Sequence, residues 1–407
     1  MKLSEELKWR GLINDISSLE LLDKLDNDKI TFYIGTDPTG DSLHIGHYSS
    51  FSMARRLKNA GHNPILLVGG ATGLIGDPKP NSERPMITKE ELDYNYKKLR
   101  KQVEEVFGFT VVNNYDWSKD INFIDYLRDF GKHFNLNYML AKETVKSRLD
   151  IGITYTEFSY MIMQSLDFLW LYENMGCTVQ MGGQDQWGNI TAGIELARKK
   201  IGAELFGFTM PLITKADGSK FGKSEGEAVW LDKEKTSSYQ MYQFFLNCED
   251  SKIIEYLRFL SFYSVDEIKE IERKHEAAPE LREAHKALAR DVIVFLHGEE
   301  EYERAIKVSE SLFSGNIKEL TLIEIEEGFK DVPNFELGEE TIMDIIVNNN
   351  IATSRREARE FLAAGSITLN GDKIIDENML VTKDLAIEQK IIIIRKGKKK
   401  YYMGMFK

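Results

Sequence analysis

The sequence predicts an α/β protein with a parallel sheet, continued by an α-helical domain and a small C-terminal α+β unit. Three textures carry that expectation. Short apolar runs alternate with helical patterns through the first half, as they do when crossover helices join parallel strands. Back-to-back helical patterns then run from Thr236 to about Gly315 with no strand-like run between them. Beyond Thr341, two short helical patterns precede strand-like runs around an Asn370-Gly371 turn.

At 407 residues the chain is too long for one ordinary core. Domains are expected over 1–235, 236–320 and 341–407, with an acidic linker over 321–340 that carries Glu324, Glu326, Glu327, Pro333 and Gly338. In the first domain the strands are expected at 30–34, 64–68, 178–181 and 208–213. Gly35, Gly69-Gly70 and Gly182-Gly183 follow strands. Because the ligand crevice of an open parallel sheet lies beyond the carboxyl ends of its strands, these glycines are expected to line it. Helices are expected over 251–260, 265–275 and 279–296, the last opening on Pro279, a residue suited to a first helical position. The C-terminal unit should hold helices over 341–349 and 354–364 and strands over 366–369 and 391–394, with Ser354-Arg355-Arg356-Glu357 as a capping box.

The composition, 42% hydrophobic and 29% charged, is that of a soluble globular chain. No apolar run approaches the ~18 residues of a membrane span, and Met1-Lys2-Leu3-Ser4-Glu5 lacks a signal peptide's apolar stretch. A cytoplasmic protein without membrane attachment is expected. Cys177 and Cys248 offer neither a disulfide framework nor metal-ligand spacing and read as reduced structural residues. The net charge of −12 argues against a surface given over to nucleic acid. Yet Gln389 to Lys407 contains no acidic residue, while Lys390, Arg395, Lys396, Lys398, Lys399, Lys400 and Lys407 gather there. Such an end either holds an anionic partner or is a solvated basic tail.

Two distant motifs carry chemistry. Leu43-His44-Ile45-Gly46-His47 leads into a helix over 48–59, whose N-terminus offers unpaired N–H groups and partial positive charge to a phosphate. Gly46 allows close approach of a nucleotide. His44 and His47, three residues apart, share one side of the first turn. Cap contacts or a metal are the other uses of such a pair, and a metal is not expected because no third ligand sits at a suggestive spacing. In Lys220-Phe221-Gly222-Lys223-Ser224, two lysines on a glycine-containing loop can close on a triphosphate as charge moves to the departing pyrophosphate. A P-loop is rejected, since Asp217 stands where that motif needs glycine.

With both motifs present, the chain resembles class I aminoacyl-tRNA synthetases. Over essentially its whole length it is similar to the bacterial tyrosyl-tRNA synthetases. The specific blocks are Tyr33-Ile34-Gly35-Thr36-Asp37-Pro38-Thr39, Gly69-Gly70-Ala71-Thr72-Gly73-Leu74-Ile75-Gly76-Asp77-Pro78, Thr156-Glu157-Phe158-Ser159-Tyr160-Met161-Ile162-Met163-Gln164-Ser165-Leu166-Asp167 and Gly182-Gly183-Gln184-Asp185-Gln186-Trp187-Gly188-Asn189.

The resemblance implies a Rossmann-like catalytic domain over 1–235 and an anticodon-side helical domain over 236–320. It implies that Tyr33 and Asp167 bind the phenolic hydroxyl of tyrosine, that Tyr160, Gln164 and Asp77 hold its ammonium group, and that Gln180 supports them. For ATP it implies Thr39 and His44 on the triphosphate, His47 and Asp185 near the ribose, Gly35, Asp37, Gly183 and Gln186 around the nucleotide, Arg84 on the pyrophosphate, and Lys220 and Lys223 on the closing loop. Thr39, His44, His47, Lys220 and Lys223 would carry catalysis. Mg²⁺ is expected to accompany ATP, with no dedicated metal site.

The residues support these roles independently. Tyr160, Gln164 and Asp167 fall at i, i+4 and i+7 on one helix face, and a phenol oxygen can donate to a carboxylate and accept from another phenol. Phenylalanine would leave such groups unpaired, a mode of discrimination for which this family is itself the usual illustration.

The segment from Thr341 resembles an S4-type RNA-binding module on Thr353-Ser354-Arg355-Arg356-Glu357-Ala358-Arg359-Glu360-Phe361-Leu362-Ala363-Ala364-Gly365-Ser366-Ile367. The resemblance implies that tRNA(Tyr) is held by Arg355, Arg356, Arg359, Lys396, Lys398 and Lys399, across a homodimer. Two departures are visible. Ile34 stands where some relatives have a ribose-contacting Cys, and the 77–84 segment is one residue short, which displaces Lys79. The rival readings are a tryptophanyl-tRNA synthetase, which Tyr33 and Asp167 oppose, and a non-catalytic RNA-binding protein, which the intact histidine and lysine pairs oppose.

Overall fold

The protein is described by a computed structural model covering residues 1–78, 87–219, 221–224, 227–330, 332–397 and 400–406. It divides into two compact units: Met1–Lys235 with Cys248–Leu296, and Thr236–Asn247 with His297–Lys407.

The first unit is built on a five-stranded parallel sheet of β1 (Thr31–Thr36), β2 (Asn63–Val68), β3 (Thr110–Asn113), β4 (Cys177–Gly183) and β5 (Phe206–Met210), in the order β3-β2-β1-β4-β5. Four of these strands lie where the apolar runs predict them, each shifted by a few residues. β3 was not among the expected strands, because Thr110-Val111-Val112-Asn113 is too short a run to stand out. The chain moves outward on one side of β1 through β2 and β3, then returns beside it as β4. This reversal opens a crevice at the carboxyl ends of β1 and β4, where Tyr33 pairs in register with Gln180. The helix Tyr155–Met175 covers the sheet and buries Phe168, Leu169 and Leu171 with Tyr33 and Leu196. Two short antiparallel strands, β6 (Lys223–Ser224) and β7 (Glu227–Ala228), follow β5.

The helices of 236–320 are shared between the units. Ile253–Leu260, Val265–Ala277 and Glu283–His297 fall almost wholly in the first, Ser238–Leu246 and Glu299–Ser314 in the second. Pro279 opens a single 3₁₀ turn, Pro279–Leu281, and not the long helix. Arg282 then adopts a left-handed conformation (φ 54°), so the α-helix starts at Glu283.

In the second unit, a mixed sheet combines β8 (Asn334–Leu337), β10 (Ile367–Leu369), β11 (Asp372–Lys373), β13 (Ile391–Lys396) and β14 (Lys400–Phe406) in the order β11-β10-β13-β14-β8. β9 (Glu340–Thr341) pairs with β12 (Leu380–Val381). The described residues of 321–340 are therefore structured. Thr321 caps the helix Leu322–Gly328 with a reciprocal Glu324 bond, and behind the acidic face Leu320, Ile325 and Phe329 enter a core with Ile391 and Ile393. The acidic composition masked that apolar spacing. Within the basic end, β13 buries Ile391 to Ile394 and pairs with β14. The helices Ile342–Asn348 and Arg355–Ala363 lie where expected, and Asn370 and Gly371 both take positive φ at the turn. Ser354 accepts from the Glu357 N–H at 3.2 Å, but the Glu357 carboxylate reaches Thr353 instead of closing the box on Ser354.

Candidate active site

At the crevice, β1 delivers Tyr33, whose side chain is 1% exposed and lies edge-on to Phe168 at 5.3 Å. Its hydroxyl is buried without a hydrogen-bond partner among the described residues. Burial, then the Asp167 carboxyl, pushes its ionisation well above the usual phenol range. Asp167 is also buried. Its Oδ2 accepts from Asn114 Nδ2 at 2.9 Å and its Oδ1 from Trp117 Nε1 at 2.9 Å. Burial raises its pKa to about 7 despite those two donors, which favour the charged form. Trp117 is held flat against Trp170, ring centroids 4.1 Å apart.

Asn114 fixes three elements at once. Its amide N–H₂ also donates to Thr72 Oγ1 at 3.0 Å, and its Oδ1 accepts from the Ala71 N–H at 2.7 Å. Thr72 in turn donates to Asp37 Oδ1 at 3.0 Å, and Tyr160 donates to Asp37 Oδ2 at 3.2 Å. The fit is so close that a Cβ on Gly69 would fall 2.2 Å from Asp37 Oδ1. A second polar group faces it. Gln186 Nε2 donates to Asp77 Oδ2 at 2.8 Å, while its Oε1 accepts from Gln164 at 3.2 Å and from Asn189 at 3.1 Å. The Oε1 atoms of Gln164 and Gln180 are buried and, like the Tyr33 hydroxyl, without a partner among the described residues. Three orphaned polar atoms around one crevice are the mark of a site built for a polar ligand.

The other end is built by the two distant motifs. His44 is the N-cap of the helix Ile45–Asn59; its Nδ1 accepts from the Gly46 N–H at 3.1 Å, and His47 Nδ1 accepts from the His44 N–H at 3.3 Å. The two rings stack at 3.9 Å. Loss of solvation, then His44, holds the His47 pKa down to about 3, so that ring stays neutral at physiological pH. The strand segment after the second motif pairs directly with the first: Ile45 N–H donates to Val229 O at 2.8 Å and Leu231 N–H to Leu43 O at 2.8 Å. Gly222, at φ 105°, lies against Gly46, where a Cβ would meet the Gly46 nitrogen at 2.9 Å. Phe221, buried against Tyr256 at 4.3 Å, anchors this backbone contact.

The structure thus brings Tyr33, Asp77, Tyr160, Gln164, Asp167 and Gln186 to one crevice and ties the His44 turn to the Gly222 turn. Thr39, Gly35 and Asp185 are exposed nearby in the chain, on β1 and its following loop and at the end of β4. Lys79, Arg84, Lys220, Lys398 and Lys399 lie outside the described residues, and Lys223 contributes its backbone to β6. Arg355, Arg356 and Arg359 are surface residues paired with Asp344, Glu360 and Glu377. Lys396 donates to the Ile351 carbonyl at 2.7 Å over the Phe361 ring. The sequence reading missed Asn114, Trp117 and the organising role of Thr72. Their signal was positional: polar residues just beyond the carboxyl ends of β2 and β3.

Comparison with known proteins bears on this site. Residues 25–314 match the family described as tRNA synthetases class I (W and Y), and residues 324–404 match the tyrosine–tRNA ligase SYY-like C-terminal domain. A tyrosine–tRNA ligase of Geobacillus stearothermophilus is 49% identical over 99% of both chains. One from Listeria monocytogenes is 48% identical over the full length of both. Among solved structures, a C-terminally truncated mitochondrial tyrosyl-tRNA synthetase of Aspergillus nidulans superposes with a TM-score of 0.70, at 29% identity, over 77% of this chain and 94% of its own.

Proposed function

The chain belongs to the tyrosine–tRNA ligase family of class I tRNA synthetases, and from that membership we propose how its residues divide the work. It is a ligase that joins tyrosine to tRNA with ATP as a substrate. The observation that carries the assignment of residues is the buried, unpartnered Tyr33 hydroxyl whose ionisation the Asp167 carboxyl opposes. A tyrosine phenol between them donates to Asp167 and accepts from Tyr33. Asp77, Tyr160 and Gln164, with Gln180 beside them, receive the ammonium end.

In the first step the tyrosine carboxylate attacks the α-phosphorus of ATP. A new P–O bond forms as the bond to pyrophosphate breaks. No general base is needed, because the carboxylate is already ionised. Thr39, His44, Lys220 and Lys223 grip the charge that develops on the phosphates, His47 and Asp185 hold the ribose, and Gly35, Asp37, Gly183, Gln186 and Arg84 complete the nucleotide site. Of the nearby carboxylates, Asp37 is engaged by Thr72 and Tyr160 and Asp77 by Gln186. Mg²⁺ would accompany the nucleotide and supply positive charge to its phosphates. In the second step the terminal ribose hydroxyl of tRNA attacks the acyl carbon, and AMP leaves.

The S4-like unit, with Arg355, Arg356, Arg359, Lys396, Lys398 and Lys399, takes the tRNA phosphates. A homodimer is supported by exposed apolar side chains gathered between 123 and 155, among them Phe123, Ile124, Leu136, Ile151 and Tyr155. Among the described residues no helix is long and apolar enough to cross a membrane, which is consistent with work in the cytoplasm. Exchange of pyrophosphate into ATP with tyrosine, phenylalanine and tryptophan in turn tests the specificity. Exchange should depend on tyrosine; exchange with tryptophan alone, or with none of the three, would sink the reading.

A further inference from the structure

Away from the crevice, the helices Val265–Ala277 and Glu283–His297 bring two buried imidazoles together. His275 is 6% exposed and His285 fully buried. Their ring centroids stand 5.4 Å apart, and the Nδ1 of each is buried without a hydrogen-bond partner among the described residues. Asp250 completes the group: one of its carboxylate oxygens and one nitrogen of each ring all lie within 4.8 Å of one another. His285 Nε2 is 3.3 Å from Asp250 Oδ1 and 3.0 Å from the Cys248 carbonyl oxygen.

A purely structural role accounts for only part of this. The His285 Nε2–H can donate to the Cys248 carbonyl, but a neutral imidazole then presents a bare lone pair on the other nitrogen. One nitrogen of each ring and a carboxylate oxygen, gathered within 4.8 Å of one another, are a donor set that one cation can share. We propose that Asp250, His275 and His285 bind a divalent metal ion of the zinc class.

Two nitrogens and one carboxylate oxygen suit Zn²⁺ or Co²⁺, whereas Mg²⁺ and Ca²⁺ select all-oxygen sets. Ligand atoms ~2.0–2.1 Å from a tetrahedral ion stand roughly 3.4 Å apart; Asp250 Oδ1 is already 3.3 Å from His285 Nε2, which would exchange its bond to the Cys248 carbonyl for the ion, its proton moving to Nδ1. The Asp250 side chain is 61% exposed, so it can turn toward the ion and leave a position for water. The site sits at the root of the closing loop. Glu249, one residue before the ligand, accepts the Ala216 N–H at 2.7 Å, and Tyr256 donates to the Thr214 carbonyl at 2.9 Å. A bound ion would brace the start of the segment that leads to Lys220.

Titration of the full-length protein with Co²⁺ alone, followed by its visible absorption, tests this. One Co²⁺ per chain with four-coordinate bands, displaced by Zn²⁺, is expected. Asp250→Asn and His275→Gln should each weaken binding by at least the ~10–100-fold that losing even a supporting partner costs. Because Asp250 is exposed, its variant leaves the fold unburdened. Zn²⁺ should also raise the Tm of the wild type and not that of Asp250→Asn. Absence of the bands, equal affinity in Asp250→Asn, or loss in His47→Asn instead would overturn the proposal.

Discussion

Gly222 and Gly46 meet backbone to backbone: a Cβ on Gly222 would stand 2.9 Å from the Gly46 nitrogen and 2.7 Å from Ile45 Cγ2. This contact joins the histidine motif to the lysine motif across more than a hundred residues of sequence. Gly222→Ala must push the two turns apart, at a backbone angle (φ 105°) that L-residues avoid. Adenylate formation should fall by ~10²-fold, since a displacement of about 1 Å costs that much, while tyrosine affinity is retained. Single-turnover kinetics beside a tyrosine binding titration distinguish the two.

Asn114 ties three parts of the tyrosine end together. Asn114→Ala removes its bonds to Asp167, Thr72 and Ala71 together. Stability should drop by about 1–3 kcal/mol for the groups left unpaired, with tyrosine affinity falling and ATP affinity unchanged. Urea denaturation and separate ligand titrations read these effects.

Tyr33→Phe should do the opposite to stability. The hydroxyl it deletes is buried without a partner among the described residues, so the variant is expected to be as stable as the wild type or up to ~1 kcal/mol more so. Its preference for tyrosine over phenylalanine should narrow. Thermal unfolding and pyrophosphate exchange measure the two halves.

Asp167 should leave a signature in pH. Its folded pKa is about 7 against 3.8 for an unperturbed aspartate. Between these values the folded state holds a proton that the unfolded state releases, so this residue's contribution declines as pH rises toward 7 and is flat above it. The stability difference between wild type and Asp167→Asn should therefore shrink from about pH 5 to about pH 7, with a slope of up to ~1.4 kcal/mol per unit. A difference that does not vary with pH would mean that Asp167 is already ionised at pH 5.

Arg356 is the most exposed of the S4-like arginines, at 90%. Arg356→Glu should raise the KM for tRNA at low salt and lower the log–log salt slope by roughly one. Adenylate formation should be unaffected. Equal aminoacylation kinetics across salt would remove this helix from the tRNA surface.

The sequence made the sheet legible because β1, β2, β4 and β5 are bounded apolar runs. It showed the Tyr160, Gln164 and Asp167 face because helical spacing is local. Contacts that depend on chain reversal stayed hidden. Asn114 follows a four-residue strand with no motif around it, and its partners Ala71, Thr72 and Asp167 are supplied by the sheet order. Asp250, His275 and His285 likewise meet only through the fold of the chain between 250 and 285. Charge misled over 321–340, where acidic residues concealed apolar positions that enter a core.

The stacked Trp117–Trp170 pair has an optical consequence. The chain has 5 tryptophans. Trp117 donates to Asp167 at the floor of the tyrosine pocket, while Trp230 lies edge-on to His44 at 6.1 Å, beside the nucleotide motif. The protein thus holds intrinsic fluorophores at both ends of its crevice. Arrival of the amino acid and arrival of the nucleotide should each dim or brighten a different indole, so the order of capture can be followed in the unlabelled molecule.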